Sequence, residues 1–126
     1  MKQSKKDMNN ASRKVRECKG LFWIDGPEEL FLGKGRVTLL EKIREHGSLA
    51  KAARAMGITY RHATEFVESM NRQATRPLVV VPEDGRSGRA TLTAEGRMAI
   101  RFYRKYSEQF NKLLMRIEEN IEELKL

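Results

Sequence analysis

Residues 46–71 read HGSLAKAARAMGITYRHATEFVESMN, and this stretch leaves the chain few folds to choose from. Two short amphipathic segments meet at a tight turn, Met56-Gly57-Ile58-Thr59. Ser48 offers an N-cap to the first, because its hydroxyl can accept from an early backbone N–H that has no helical partner. Leu49, Ala52, Ala53 and Met56 then share one face. Alanines at 52 and 53 let a crossing helix come close. Gly57 suits the turn, where a positive φ costs glycine little. Thr59 is placed to cap the second segment. There Ala63, Phe66, Val67 and Met70 face the core, and Tyr60, Arg61, His62, Thr64, Glu65 and Glu68 are left for solvent or a partner. Two helices so joined form a helix-turn-helix.

The flanking sequence fits around that pair. Residues 15–24, VRECKGLFWI, alternate and then turn apolar, which predicts a strand with one buried end. Asp25-Gly26-Pro27-Glu28 is a turn, and Glu29–Leu32 returns as a second short strand. Trp23 and Phe31 are expected in a core or a dimer contact. A helix over Arg36–Glu45 buries Val37, Leu39, Leu40 and Ile43 and ends at Gly47. His46 lies in its last turn, beside the negative end of the helix dipole. Beyond residue 74, Leu78–Val81 reads as a strand, Pro82–Gly88 as a loop and Arg89–Leu92 as a returning strand. A hairpin directly after a helix-turn-helix is a wing.

Thr93 caps the last helix. Ile100, Tyr103, Ser107, Phe110, Leu114, Ile117, Ile121 and Leu124 recur at alternating spacings of three and four, a coiled-coil-like seam that Phe102 and Leu113 widen. A helix of about 30 residues runs about 45 Å, longer than so small a domain covers. The expectation is a homodimer through Phe102, Tyr103, Phe110, Leu113, Leu114, Ile117, Ile121 and Leu124. Near Ile100 and Tyr103 the seam is expected to pack on the chain's own core.

Charge narrows the partner. The chain has 126 residues and a formal net charge of +8. That balance favours an acidic partner such as nucleic acid over an enzyme with a small neutral substrate. The basic charge is unevenly spread. Residues 34–57 carry six Lys or Arg against two acids, whereas 59–92 carry five Arg against four acids. Residues 1–13 read as a flexible basic tail. Cys18 is the single cysteine and His46 and His62 the two histidines, too few for a Cys/His metal cluster. No cofactor and no small-molecule ligand is expected. Neither a signal peptide nor a membrane span is visible, so a cytoplasmic protein is expected.

In a helix-turn-helix the N-terminal end of the second helix reaches base edges. Arg61 can donate to guanine or phosphate, Thr59 and Thr64 to phosphate, and Tyr60 can lie along the sugar-phosphate backbone, with Ser48 also counted among the DNA contacts. His62 is a DNA or solvent contact, and Glu65 can accept from a cytosine amine. Arg86 and Arg89, at or near the wing tip, can enter a minor groove or touch phosphate.

Residues 30–105 resemble the N-terminal winged helix-turn-helix of the ModE molybdate-responsive regulators and, more distantly, the LysR-type domain. The resemblance is carried by Gly33-Lys34-Gly35-Arg36, Leu39-Leu40, His46-Gly47-Ser48-Leu49, Ala52-Ala53, Gly57-Ile58-Thr59-Tyr60-Arg61, Ala63, Met70-Asn71, Pro77-Leu78-Val79 and Leu92-Thr93-Ala94-Glu95-Gly96. It implies a dimeric DNA-binding domain in which Thr59, Tyr60 and Arg61 begin the recognition helix. Two positions depart from the family: a tryptophan is frequent where this chain has Thr64, and the family's wing is richer in glycine. Full-length ModE regulators also carry C-terminal oxyanion-binding domains with no counterpart in these 126 residues, so molybdate sensing is not expected of them.

The expected fold is mainly α with small β hairpins, a winged helix-turn-helix with a long C-terminal dimerisation helix. Residues 14–98 would form the DNA-binding domain, with the N-terminal strand or hairpin included, and 99–126 the rest of the dimerisation helix. The expected function is sequence-specific regulation of transcription by a homodimer on double-stranded DNA. The recognition helix, about 59–74, would lie in the major groove, and the wing, 82–89, on minor groove or phosphate. The alternative is a winged-helix protein–protein interaction module without direct DNA readout.

Overall fold

In the computed structural model, which describes residues 15–82 and 88–126, the helix-turn-helix forms where its caps and apolar spacings place it. Helix α1 spans Lys34–His46, α2 Leu49–Met56 and α3 Tyr60–Gln73. Ser48 Oγ accepts from the Lys51 N–H at 3.1 Å, and Thr59 Oγ1 accepts from the His62 N–H at 3.0 Å. Gly57 has φ 71°, and the N–H groups of Gly57 and Ile58 close back onto the carbonyls of Arg54 and Ala53. That pairing ends α2 and starts the turn into α3.

Two antiparallel hairpins flank the three helices. Strand β1 (Ile24–Asp25) pairs with β2 (Leu30–Leu32), and β3 (Val79–Val80) pairs with β4 (Thr91–Leu92), Val79 opposite Leu92 and Val80 opposite Thr91. Helix α4 follows over Ala94–Glu123. Thr93 caps it, its Oγ1 accepting from the Gly96 N–H at 3.0 Å. Glycine is required at 96 by close approach: a Cβ there would run into the Leu78 carbonyl oxygen and sit 2.7 Å from Leu92 Cδ1.

The chain divides into two compact units. Residues Phe22–Ser107 hold the helix-turn-helix and both hairpins. Their core joins Val37, Leu39, Leu40 and Ile43 of α1 to Leu49, Ala52 and Ala53 of α2, Ala63, Val67 and Met70 of α3, and Leu32, Leu78, Val79, Ala90, Leu92, Ile100 and Tyr103. Ala52 and Ala63 are wholly buried, as the close crossing of α2 and α3 demands.

The second unit joins residues 15–21 to Glu108–Leu126. Here the expected strand over 15–24 is corrected: only Ile24–Asp25 is strand, and 15–23 take no regular structure. The backbone of this segment has other partners. The Cys18 N–H donates to Glu118 Oε2 at 2.9 Å and the Arg16 N–H to Glu122 Oε1 at 3.3 Å, while Gly20 lies against Phe110 and Leu114. Carboxylates one helical turn apart take the place of a neighbouring strand's carbonyls.

Candidate nucleic-acid interface

On its outward side, the start of α3 has few ties to the rest of the fold, while Ala63 and Val67 are buried on the inner side. Thr59, Tyr60, Arg61, His62 and Glu65 are all exposed, Arg61 with 89% of its side chain in solvent. Arg61 Nε lies 3.5 Å from Glu65 Oε2 across one turn, a solvated pair that costs little to open. The His62 ring meets the Phe66 ring edge-on, with centroids 4.5 Å apart. That contact stiffens the imidazole while leaving it exposed.

The wing strand reaches the start of α2. The Leu49 N–H donates to the Gly88 carbonyl at 2.9 Å, the Ala90 N–H donates to the Gly47 carbonyl at 3.2 Å, and Ser48 and Arg89 form an antiparallel bridge between them. Ser48 and Arg89 are thereby neighbours, although 41 positions separate them in sequence. Exposed Lys51 lies one turn into α2. A groove of about 370 Å³ runs between α3 and the wing base, lined in part by Leu49, Tyr60, Thr64, Val67, Val80 and Val81. Ser48, Tyr60 and Arg89 thus gather around one edge of the domain. Arg86 lies outside the described residues.

Thr64 departs from its expected place. It is half-buried in that groove, and its Oγ1 is buried without a hydrogen-bond partner among the described residues. It follows α3 by four positions from Tyr60, so the helical period turns it toward the wing base rather than outward. Phe66, expected in the core, is only half-buried and lies over the Arg36 guanidinium, 5.1 Å from ring centroid to Cζ.

Sequence reasoning missed the polar cluster at the other end of α3. Arg36, on the apolar side of α1, is 8% exposed. Its guanidinium donates to the Leu30 carbonyl and, at 3.0 Å, to Ser69 Oγ. Ser69 in turn donates to the Glu29 carboxylate and accepts from Gln73 Nε2 at 3.1 Å. Gln73 also donates to the Leu30 carbonyl at 2.9 Å, and its Oε1 accepts the N–H groups of Glu28 and Glu29. Arg72 closes the outer side, its Nε 3.0 Å from Glu28 Oε1. The Ser69 hydrogen bond, reinforced by Arg36 and Arg72, holds the Glu29 carboxyl below its ordinary value. Burial pulls Arg36 below its own ordinary value, against the attraction of Glu29. The α3 spacing that places Ser69, Arg72 and Gln73 together, three and four residues apart, was the available signal.

Along α4 the expected seam residues part company. Within Phe22–Ser107, Tyr103 is 2% exposed, stacks on Phe22 and donates its hydroxyl to the Phe22 carbonyl at 2.8 Å. Tyr103 is therefore a core residue, at the part of the seam that packs on the chain's own core; its ring lies against the segment just before β1. Phe102, 54% exposed, rests on Tyr106 instead. Within the smaller unit, Phe110, Leu114 and Ile121 are half-buried, whereas Leu113, Ile117 and Leu124 are exposed. Arg104 is tied to Glu41 by bonds of 2.9 Å and 2.6 Å, and this hydrogen bonding holds the Glu41 carboxyl low.

A helix-turn-helix with its second helix exposed at the N-terminal end, followed by a wing, matches a known class. The family described as bacterial regulatory helix-turn-helix protein, lysR family, matches residues 35–97. The chain belongs to that family, a class of DNA-binding transcriptional regulators and not of enzymes. It is similar to the molybdenum transport protein ModE of Azotobacter vinelandii, 35% identical over 94 residues that make up 74% of this chain and 35% of that one. It is also similar to the molybdenum-pterin-binding protein MopA of Rhodobacter capsulatus, 39% identical over 55% of this chain and 26% of that one. The chain thus spans between about a quarter and a third of the length of these curated relatives. Among solved structures, the DNA-binding domain of CbnR in a DNA complex superposes with a TM-score of 0.55 at 16% identity, over 69% of this chain and 95% of that one. That likeness shows the shared fold. No helix among the described residues is long and apolar enough to cross a membrane.

Proposed function

We propose that the protein regulates transcription as a sequence-specific homodimer on double-stranded DNA in the cytoplasm. The first turns of α3 enter the major groove, with Arg61, His62 and Glu65 toward base edges, Tyr60 along the sugar-phosphate backbone, and Ser48 and Thr59 toward phosphate. Thr64, set back with its hydroxyl buried in the groove beside the wing, supports that side of α3 rather than meeting a phosphate. Arg89, with Arg86, follows the minor groove or the flanking phosphates. Residues 14–98 act as the reading domain, and residues 99–126 bring two copies together through the exposed apolar positions of α4, among them Phe102, Leu113, Ile117 and Leu124.

One observation carries this reading. Tyr60, at the exposed N-terminal end of α3, lines one groove with the wing base, and the Ser48–Arg89 bridge holds the returning wing strand to the start of α2 beside it. A helix braced at one end and open at the other, with a strand beside it, fits a groove and its adjoining phosphates.

Anisotropy titrations with labelled random-sequence and genomic duplexes, over a range of salt concentrations, test the proposal. Six to ten phosphate contacts imply an affinity loss of about 10³–10⁵ between 50 mM and 200 mM salt. Absence of binding at low salt would overturn it. Capture of a protein partner by the same surface, with no enrichment of DNA, would favour an interaction module instead.

A further inference from the structure

The base of the wing is gripped by one side chain of the recognition helix. Asn71 Oδ1 accepts from the backbone N–H of Leu78 at 2.8 Å and of Val79 at 3.2 Å. Its Nδ2 donates to the Val79 carbonyl at 2.8 Å. A carboxamide has the same donor and acceptor as a peptide unit. Here it meets both the N–H and the C=O of one strand residue, as a neighbouring strand would. The need is physical. Strand β3 has two residues, its pairing partner β4 also has two, and so short a ladder has little stability of its own. The far side of the same turn is held as well: the Leu78 carbonyl accepts from the Thr93 N–H and the Thr93 Oγ1, both at 3.0 Å. Thr93 belongs to the start of α4, however. Asn71 is the side chain that ties the wing to the helix beside which it must sit.

We infer that Asn71 is a positioning residue for DNA recognition: it sets the wing against α3, so that Arg89 meets phosphate when the start of α3 is in the groove. Asn71 itself, half-buried in the second half of α3, need touch no DNA. The backbone bonds of Gly88 and Ala90 hold the returning strand to α2, but with its base released from α3 the wing can shift against the recognition helix, and the wing's contact would be lost from the bound state. The inference rests on the DNA-binding reading above and goes beyond it, because it assigns a source for the wing's placement.

The test is a double-mutant cycle on a duplex selected by the wild-type protein from a random pool. Removing one phosphate contact should reduce the slope of log affinity against log salt by about 1. Arg89→Ala should show that reduction. Asn71→Ala should show it too, and the double variant should show no further reduction, because the wing contact is already gone. A residue that matters only for stability would lower the melting temperature and the active fraction while leaving the slope unchanged. Asn71→Asp gives a second variant that keeps both accepted bonds and loses the one donated to Val79. If Asn71→Ala fails to fold, this variant must show the reduced slope. A folded Asn71 variant with the wild-type slope, or additive effects with Arg89→Ala, overturns the inference. Failure of the wild-type protein to select or bind any duplex overturns the DNA-binding reading instead.

Discussion

The two halves of α3 are built on opposite plans. From Tyr60 to Glu65 the exposed side chains make one solvated ion pair and one ring contact. From Ser69 to Gln73 nearly every polar atom is committed: Ser69 to Arg36 and Glu29, Asn71 to the wing base, Arg72 to Glu28, and Gln73 to the N-terminal hairpin. One helix therefore carries a free end and a fixed end. The difference teaches where its rigidity comes from. A helix of 14 residues is marginal in isolation, so its orientation is set by what it packs on and binds to. Fixing the C-terminal half lets the N-terminal half keep its polar groups for another molecule without losing its direction.

Breaking the fixed end should have the largest effect. Arg36→Leu removes the donor to Leu30 and Ser69 and leaves those acceptors, with Glu29, short of a partner. Gln73 still donates to Leu30 and Ser69, so the cost should be about 1–2 kcal/mol of stability, read as a shift of the denaturant midpoint at unchanged slope. A change within about 0.5 kcal/mol, the usual range for surface sites, would mean that the cluster adds little to the fixed end.

Acidification should act more gently, on Glu29 of the fixed end and on Glu41 of α1. Glu29 and Glu41 are held below the ordinary carboxylate value, chiefly by hydrogen bonds from Ser69 and Arg104. Their contribution is complete above the usual carboxylate range and is lost as pH falls from there through the lowered values. Melting temperature should decline across that window, and Glu29→Gln with Glu41→Gln should flatten the decline. An equally steep decline in the double variant would assign it to other carboxylates.

The free end was more legible in the sequence than the fixed end. Caps at Ser48 and Thr59, the alanines at 52 and 53, and glycine at 57 are local signals, and each specifies its conformation from its own neighbours. The apolar spacing of α1, α2 and α3 likewise marks the core face. What was not legible depends on which elements meet. Arg36 reads as an ordinary helix charge until the N-terminal hairpin brings the Leu30 carbonyl and Glu29 to it. Asn71 reads as a surface polar residue until the wing returns. The stripe along α4 does not say where its cover passes from the same chain to another, since the spacing is the same for both. Residues 15–23 alternate like a strand, but a strand needs a partner edge, and carboxylates of Glu118 and Glu122 take that place.

The division of α3 into a reading end and an anchoring end is tested most directly by selection from a random duplex pool with wild-type protein and with Arg61→Ala. Arg61 is almost fully solvated, so its removal should leave the melting temperature unchanged. The account predicts a defined sequence preference for the wild type, relaxed at one position in the variant, at a cost of about 1–3 kcal/mol in affinity for the selected site. The same preferred sequence for both proteins, with affinity unchanged, would contradict it.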